Sequence, residues 1–386
     1  MNLPVSRRLL FSPMRLGALR LTNRIVMPAM TRNRTPGSVP NALNALYYGQ
    51  RATAGLIVTE GSAPAHMGFG FVDTPGLFTA EQARGWKQVA DTVRLAKAHI
   101  FAQLLFAGRL SHPTLLGGAT PIAPSAVKAA GTAQGNAGWG PYEMPRAMLE
   151  DDIEIVLASY TGAARLAVTA AGFDGVEIHA GHGYLPNQFL APNTNLRTDH
   201  WGGDARGRAR FLLELVDRTV AVVNRQRVGV LVTPASTLND IQDLDWPTTY
   251  GYLLEELDKR RLAYLHVGLP LPEAGQQPDV AGFVRQHYRG AVILNGGYWR
   301  TRAELDVKLR RADLIAFGRD FLANPDLPKR LRLGAALNPA DRTTFHARGG
   351  KGYVDYPTLH EIDETGTKLR GHDREMRARA APQVSA

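Results

Sequence analysis

The chain has 386 residues, 44% of them hydrophobic and 21% charged, the proportions of a globular protein able to bury one large core. It has no cysteine, which excludes disulfides, thiolate metal ligands and a cysteine nucleophile, and no apolar run nears the ~18 residues of a membrane span. Lys and Arg exceed Asp and Glu by 45 to 35, a net charge of +10, but the cations are scattered. Their densest stretch is the tail 370–379, so the balance reads as a solvated surface serving an anionic cofactor, not a nucleic-acid site.

At the N-terminus Arg7 and Arg8 precede only Leu9, Leu10 and Phe11, too short a run for a secretion signal, and a cytoplasmic location is the default expectation. Met14–Leu21 reads as a small hairpin with Gly17 at its turn, placed to plug the lower end of a barrel. Eight short apolar, often β-branched runs then predict buried strands: Ile25–Met27, Leu56–Thr59, Ile100–Leu105, Gly175–His179, Val228–Thr233, Ala263–Val267, Ala291–Asn295 and Leu314–Phe317. Segments with helical spacing lie between them, among them Ala80–Ala98, Asp151–Ala171, Gly207–Arg225, Tyr250–Arg260 and Arg302–Arg311.

Strict alternation of strand and helix implies a parallel sheet, and eight repeats without a Gly-x-Gly-x-x-Gly turn favour a closed (β/α)8 TIM barrel, an α/β fold, over a doubly wound sheet. The longest interruption is Ala107–Glu150, an excursion after the third strand rich in Gly, Pro and Ala. Residues 338–359 have few periodic signals and are expected to pack back over the barrel. The boundaries predicted are one barrel domain over 1–371 and a flexible tail over 372–386.

In such a barrel chemistry gathers where the strands end. The fourth strand ends in Glu177-Ile178-His179, followed by Ala180-Gly181-His182-Gly183-Tyr184. The glycines bracketing His182 allow a tight loop in which two imidazoles and a phenol face one cavity. Two ring N–H donors suit a carbonyl or anionic oxygen, and a neighbouring tyrosine suits proton delivery. A plain loop-stabilising role for the histidines and a metal site on His-x-x-His are the rival readings. No acidic third ligand follows in the loop, so no metal is expected. Glu177, on the same side of the strand as His179, is expected to hydrogen-bond inside the barrel. After the seventh and eighth strands, Gly296, Gly297, Gly318 and Arg319 offer bare N–H groups and a guanidinium suited to a phosphate. Thr31 and Gln103 add neutral hydrogen-bonding groups at the mouth.

These residues resemble the Old Yellow Enzyme family of FMN-dependent oxidoreductases over nearly the whole chain. The resemblance rests on Leu21-Thr22-Asn23-Arg24-Ile25-Val26-Met27 with Thr31-Arg32, then Tyr47-Tyr48-Gly49-Gln50-Arg51-Ala52, Pro75-Gly76-Leu77 and Gly172-Phe173-Asp174-Gly175-Val176-Glu177-Ile178-His179. Further along stand Gln188-Phe189-Leu190, Asn195-Leu196-Arg197-Thr198-Asp199, Phe317-Gly318-Arg319, Asn324-Pro325-Asp326-Leu327 and Tyr356-Pro357-Thr358-Leu359. It implies FMN as cofactor and NADPH as reductant. Thr31, Gln103 and Gly61 would meet the flavin ring, with His179 beside it, and Gly296, Gly297, Gly318 and Arg319 would hold the phosphate. His179 and His182 would bind the substrate oxygen, Tyr184 would donate the proton, and Phe71, Leu105 and Tyr356 would border the substrate pocket. The activity implied is hydride transfer from NAD(P)H through the flavin to the activated C=C of an enone or nitroalkene, in a monomer or small homo-oligomer without nucleic-acid or membrane partners.

Three departures accompany the resemblance. Leu231 stands where the family pattern has an arginine at the flavin, and Arg227 lies four residues upstream, about 13 Å along a strand, towards the other end of the barrel. A lost charge-assisted hydrogen bond is worth ~1.5–3 kcal/mol, so flavin reduction is expected to be harder. This leaves two alternatives open: a family relative using the histidine–tyrosine site for a non-redox step such as isomerisation, and a non-catalytic ligand-binding barrel. Leu105 and Phe106 replace a tryptophan and a histidine, and Pro28-Ala29 inverts the usual Ala-Pro.

Overall fold

The computed structural model describes residues 9–135, 138–270 and 278–361. Its centre is a closed barrel of eight parallel strands: β1 (Ile25–Met27), β2 (Leu56–Val58), β3 (Ile100–Leu104), β4 (Gly175–Ala180), β5 (Val228–Val232), β6 (Tyr264–Gly268), β7 (Val292–Asn295) and β8 (Leu314–Ala316). β8 pairs with β1 through Ile315↔Ile25, which closes the ring. The strand ends fall within a residue or two of the sequence expectation. The predicted hairpin forms from Met14–Leu16 and Leu19–Leu21 with Gly17 at φ +57°. Its Leu16 and Leu21 pack on the barrel-interior side chains Val26, Leu56, Val58, Phe101, Tyr264, Ile293 and Leu314, so the hairpin closes the end away from the strand C-termini.

The helices that shield the barrel are α1 (Ala42–Gln50), α2 (Ala80–Leu95), α3 (Glu150–Thr169), α4 (Leu185–Leu190), α5 (Ala205–Val223), α6 (Trp246–Arg260), α7 (Val280–His287), α8 (Arg300–Lys308), α9 (Gly318–Ala323) and α10 (Leu327–Leu333). Local sequence starts several of them. In α2 Thr79 Oγ1 accepts from the Gln82 N–H while Gln82 Oε1 accepts from the Thr79 N–H, a reciprocal cap that satisfies two otherwise free donors. Asp204 and Asp279 cap α5 and α7 one-sidedly, their carboxylates accepting from the Gly207 and Gly282 N–H groups. Among the helices between strands, sequence spacing does not mark α1 or α7. Each has eight or nine residues and buries only about one turn's worth of side chains, too little for a periodic signal.

The excursion after β3 holds a hairpin of Thr132–Gly135 and Gly138–Pro141 and a short parallel pair of Ile122–Ala123 with Arg146–Ala147. Arg197 Nη1 pins it to the loop after α4 by donating to the carbonyls of Pro124 and Met148. Residues 338–359 do fold back. Arg32 donates to the carbonyls of Phe345 and Gly352, Arg34 to those of Thr344 and Lys351, and Tyr353 stacks on Tyr47 at 3.9 Å. The predicted tail 372–386 lies outside the described residues.

Candidate active site

Alternation along β4 separates its roles. Val176, Ile178 and Ala180 join the core between barrel and helices, while Glu177 and His179 face the interior. The loop after β4 is then forced tight. A Cβ on Gly181 would lie 2.7 Å from Thr233 Cγ2 and 2.8 Å from Leu231 Cδ2, so glycine alone fits there. His182 has φ +52° and Gly183 φ +79°. Strain at a non-glycine residue persists where the surroundings hold it, and here three bonds do so. The His182 N–H donates to Thr233 Oγ1 at 3.0 Å, Asn239 Nδ2 donates to the His182 carbonyl at 2.7 Å, and the Gly183 N–H donates to Asn187 Oδ1 at 2.8 Å. Tyr184 then caps α4, with Pro186 in the first turn.

The result is a cluster. His179 and His182 have ring centroids 5.3 Å apart, with His182 Nδ1 3.5 Å from His179 Nε2, and the Tyr184 ring lies 4.8 Å from that of His179, edge to face. The Gly181 N–H points at His179 Nδ1 at 3.3 Å, which makes that nitrogen the acceptor and puts the proton on Nε2. Burial, first, and then the proximity of His182 and His266 hold His179 far below the usual imidazole range. Burial and His266 bring His182 down to about 4. Both rings are therefore neutral donors at pH 7. Burial pushes the Tyr184 phenol well above its ordinary value, so it holds its proton.

These three residues share a cavity of about 200 Å³ with Ala29, Met30, Thr31, Gly61, Gln103, Leu105, Leu238 and Asn239. A second cavity of about 300 Å³ adjoins it through His182 and Leu238 and is lined by the β5 loop, Gly268, Leu269 and Asn295-Gly296-Gly297. Gly61 is bare for a reason, since a Cβ there would lie 2.7 Å from Leu105 Cδ1 and 3.3 Å from Gln103 Oε1. Gly297 has φ +61° with open space where its side chain would be. Gln103 Nε2 donates to Glu177 Oε1 at 2.8 Å, which orients its amide. Carbonyl and hydroxyl groups at one end and bare glycines at the other fit a flat heteroaromatic ring carrying a phosphate arm. Among the described residues no group of three or more His, Cys, Asp or Glu side chains is placed to hold a metal.

The linings leave out four of the residues expected at the site. Gly318 opens α9 and Arg319 is exposed beside it, one strand over from Gly297. Phe71 reaches the site only through Tyr184, its ring 6.5 Å away, and otherwise borders a separate aromatic cavity with His66, Phe69 and Phe78. Tyr356 is held in the returning C-terminal segment, its hydroxyl accepting from the Asp341 N–H at 2.9 Å. Sequence reasoning misses Leu238 and Asn239 on the β5 loop, and His266, whose Nδ1 lies 2.8 Å from Glu177 Oε2. A lone polar residue within the apolar run Ala263–Val267 is the available signal for His266.

Residues 9–338 match the family described as NADH:flavin oxidoreductase / NADH oxidase. The chain belongs to that family, the Old Yellow Enzymes. Its relatives include 12-oxophytodienoate reductase 1 of Oryza sativa subsp. japonica, 38% identical over 363 residues, which spans 92% of this chain and 94% of the relative. Among solved structures, morphinone reductase superposes with TM-score 0.88 at 43% identity, covering 94% of this chain and 98% of that one. The Old Yellow Enzyme homologue from Zymomonas mobilis gives TM-score 0.88 at 35% identity over 91% and 99%. This Old Yellow Enzyme is thus a flavin oxidoreductase with FMN as its cofactor, and no helix among its described residues is long and apolar enough to cross a membrane.

Proposed function

We propose that this enzyme reduces the activated C=C bond of an enone or nitroalkene, with NADPH as reductant. One observation carries the reading. Two imidazoles kept neutral and a phenol kept protonated converge on the same cavity as Gly61, Thr31 and Gln103. Thr31, Gln103 and Gly61 would hold the ring of FMN and Gly296, Gly297, Gly318 and Arg319 its phosphate. When bound, FMN supplies the hydride that reaches the β-carbon of the substrate.

The protein's own groups do the rest. His179 Nε2–H and the His182 ring donate to the substrate oxygen. They strengthen as charge develops on it, which is transition-state stabilisation of the oxyanion-hole kind. Neutral imidazoles serve better than imidazolium ions here, because they polarise the oxygen without surrendering a proton to it. Tyr184 delivers its proton to the α-carbon and is reprotonated from solvent. Phe71 against Tyr184, and Leu105 against Gly61, limit the shape of what enters.

The test is a pair of half-reactions. NADPH should bleach the oxidised flavin under anaerobic conditions, and an added enone should restore the yellow colour with formation of saturated ketone. The morphinone reductase complex holds tetrahydroNAD, so NADH is run alongside NADPH. Reoxidation by dioxygen alone, with every enone and nitroalkene inert, would overturn the reading.

A further inference from the structure

Register places the interior side chains of β3 to β6 in two layers. Gln103, Glu177, Gly229 and Tyr264 form the lower one, and His179, Leu231 and His266 the layer nearer the mouth. Gly229 has no side chain because the Tyr264 ring fills the place where a Cβ would lie, and Glu177 reaches across β5. It binds Gln103 Nε2 through Oε1 and His266 Nδ1 through Oε2, both at 2.8 Å. Neither Glu177 nor His266 is exposed at all. The Tyr264 phenol beside Glu177 is kept protonated by burial and by the carboxylate itself. Glu177 and His266 thus form a fully buried carboxylate–imidazole pair, with an amide and a neutral phenol as the carboxylate's other neighbours. The other nitrogen, His266 Nε2, is buried and has no partner. Leu231 on β5 and Ile293 on β7, in register with it on either side, are apolar, and neither His179 nor His182, the imidazoles near it, hydrogen-bonds to it.

Arg319, outside both cavities that fit the flavin, would meet only the phosphate, so the flavin ring is left without a cation. Among the described residues neither lining contains a lysine or arginine. Two-electron reduction of FMN with uptake of one proton leaves one negative charge on its N1–C2=O edge, and an anion enclosed in protein demands a counter-charge. His179 and His182 do not supply it. Both are held neutral, by burial first and then by the nearness of the other imidazoles.

We propose that His266, paired with Glu177, is the cation that serves the flavin ring, acting on the negative charge of reduced FMN from behind the cavity wall, since it is fully buried and lines neither cavity itself. The orientation of the pair gives the sign. The carboxylate lies in the lower layer and the imidazole in the layer nearer the mouth, so the positive end of the dipole is turned towards the cofactor. This rests on the FMN reading and deepens it, since it assigns to β6 the charge that Leu231 on β5 does not carry.

The experiment measures FMN binding and midpoint potential in the holoenzyme, by fluorescence titration and by dithionite titration against a reference dye. His266→Gln, which can still hydrogen-bond Glu177, should leave the affinity for oxidised FMN within about threefold and weaken that for reduced FMN at least tenfold. For a two-electron couple tenfold is a fall of about 30 mV. Glu177→Gln removes the partner that holds the charge and should lower the potential in the same sense. Adding Leu231→Arg to His266→Gln should recover it. A potential unchanged in both His266→Gln and Glu177→Gln, with FMN bound normally, would overturn the proposal. A parent protein that takes up no FMN would instead overturn the functional reading on which it rests.

Discussion

The Gly181 N–H donates to His179 Nδ1 across 3.3 Å, and this bond selects the ring's tautomer. In that tautomer Nε2–H is the donor at the catalytic edge, and His182 is likewise neutral with its pKa brought down to about 4. The unfolded chain would protonate His182 near 6.5, so between about 4 and 6.5 it binds more protons than the native state. Stability therefore rises with pH across this window and is lost on acidification, by on the order of 3 kcal/mol for this one residue. Urea unfolding of the His182→Asn variant should be less sensitive to pH between about 4 and 6.5 than that of the parent. Equal slopes would show that His182 is not buried neutral.

Tyr184 should act in one half-reaction only. Its phenol ring lies 4.8 Å from that of His179, and burial, the larger influence on it, keeps the proton in place until a substrate carbanion takes it. Tyr184→Phe should leave flavin reduction by NADPH within about twofold and slow enone turnover by roughly 10²–10⁴, the range of general acid catalysis. Stopped-flow absorbance separates the two steps. Equal slowing of both would point to a disturbed flavin site.

The barrel is legible in the sequence because buried parallel strands write their pattern locally, as continuous apolar runs such as Val228–Val232. The histidines and Tyr184 are legible for the same reason, falling within six residues at one strand end. The Glu177–His266 pair is not, for its members are 89 residues apart and meet only across the intervening strand β5. Asn239 and Leu238 are hidden in a loop with no periodic signal, bonded through the Asn239 carbonyl to Arg109, 130 residues away. Tyr356 shows the converse, a motif residue whose hydroxyl is engaged by its own segment.

Gly61 imposes a steric limit that is easy to check. In Gly61→Ala the new methyl would press on Leu105 Cδ1 at 2.7 Å and Cβ at 2.9 Å, driving Leu105 into the cavity. Overpacking of this kind costs ~1–3 kcal/mol, so FMN affinity should fall by roughly 5- to 150-fold. The double variant Gly61→Ala, Leu105→Ala should recover most of it. Flavin release measured by fluorescence decides the matter, and an unaffected single variant would mean the ring does not pass over Gly61.

Arg109 ties the β5 loop to the excursion side of the barrel. Its guanidinium, fully buried, donates through Nη2 to the carbonyls of Asn239 and Asp240 at 3.1 and 2.8 Å. Those two residues sit at φ +58° and +61°, and Ala235 at φ +59°, so three non-glycine residues hold left-handed geometry in one short loop. Such conformations cost of order 1 kcal/mol or more each and persist only under external restraint. Asn239 in turn holds the His182 carbonyl. In Arg109→Met, which keeps much of the buried volume, the loop should relax and release His182. The expected outcome is a KM for enone raised about tenfold with flavin reduction little changed, together with faster proteolysis between residues 234 and 243. A KM that stays at the parental value would show that the loop keeps its shape without the guanidinium.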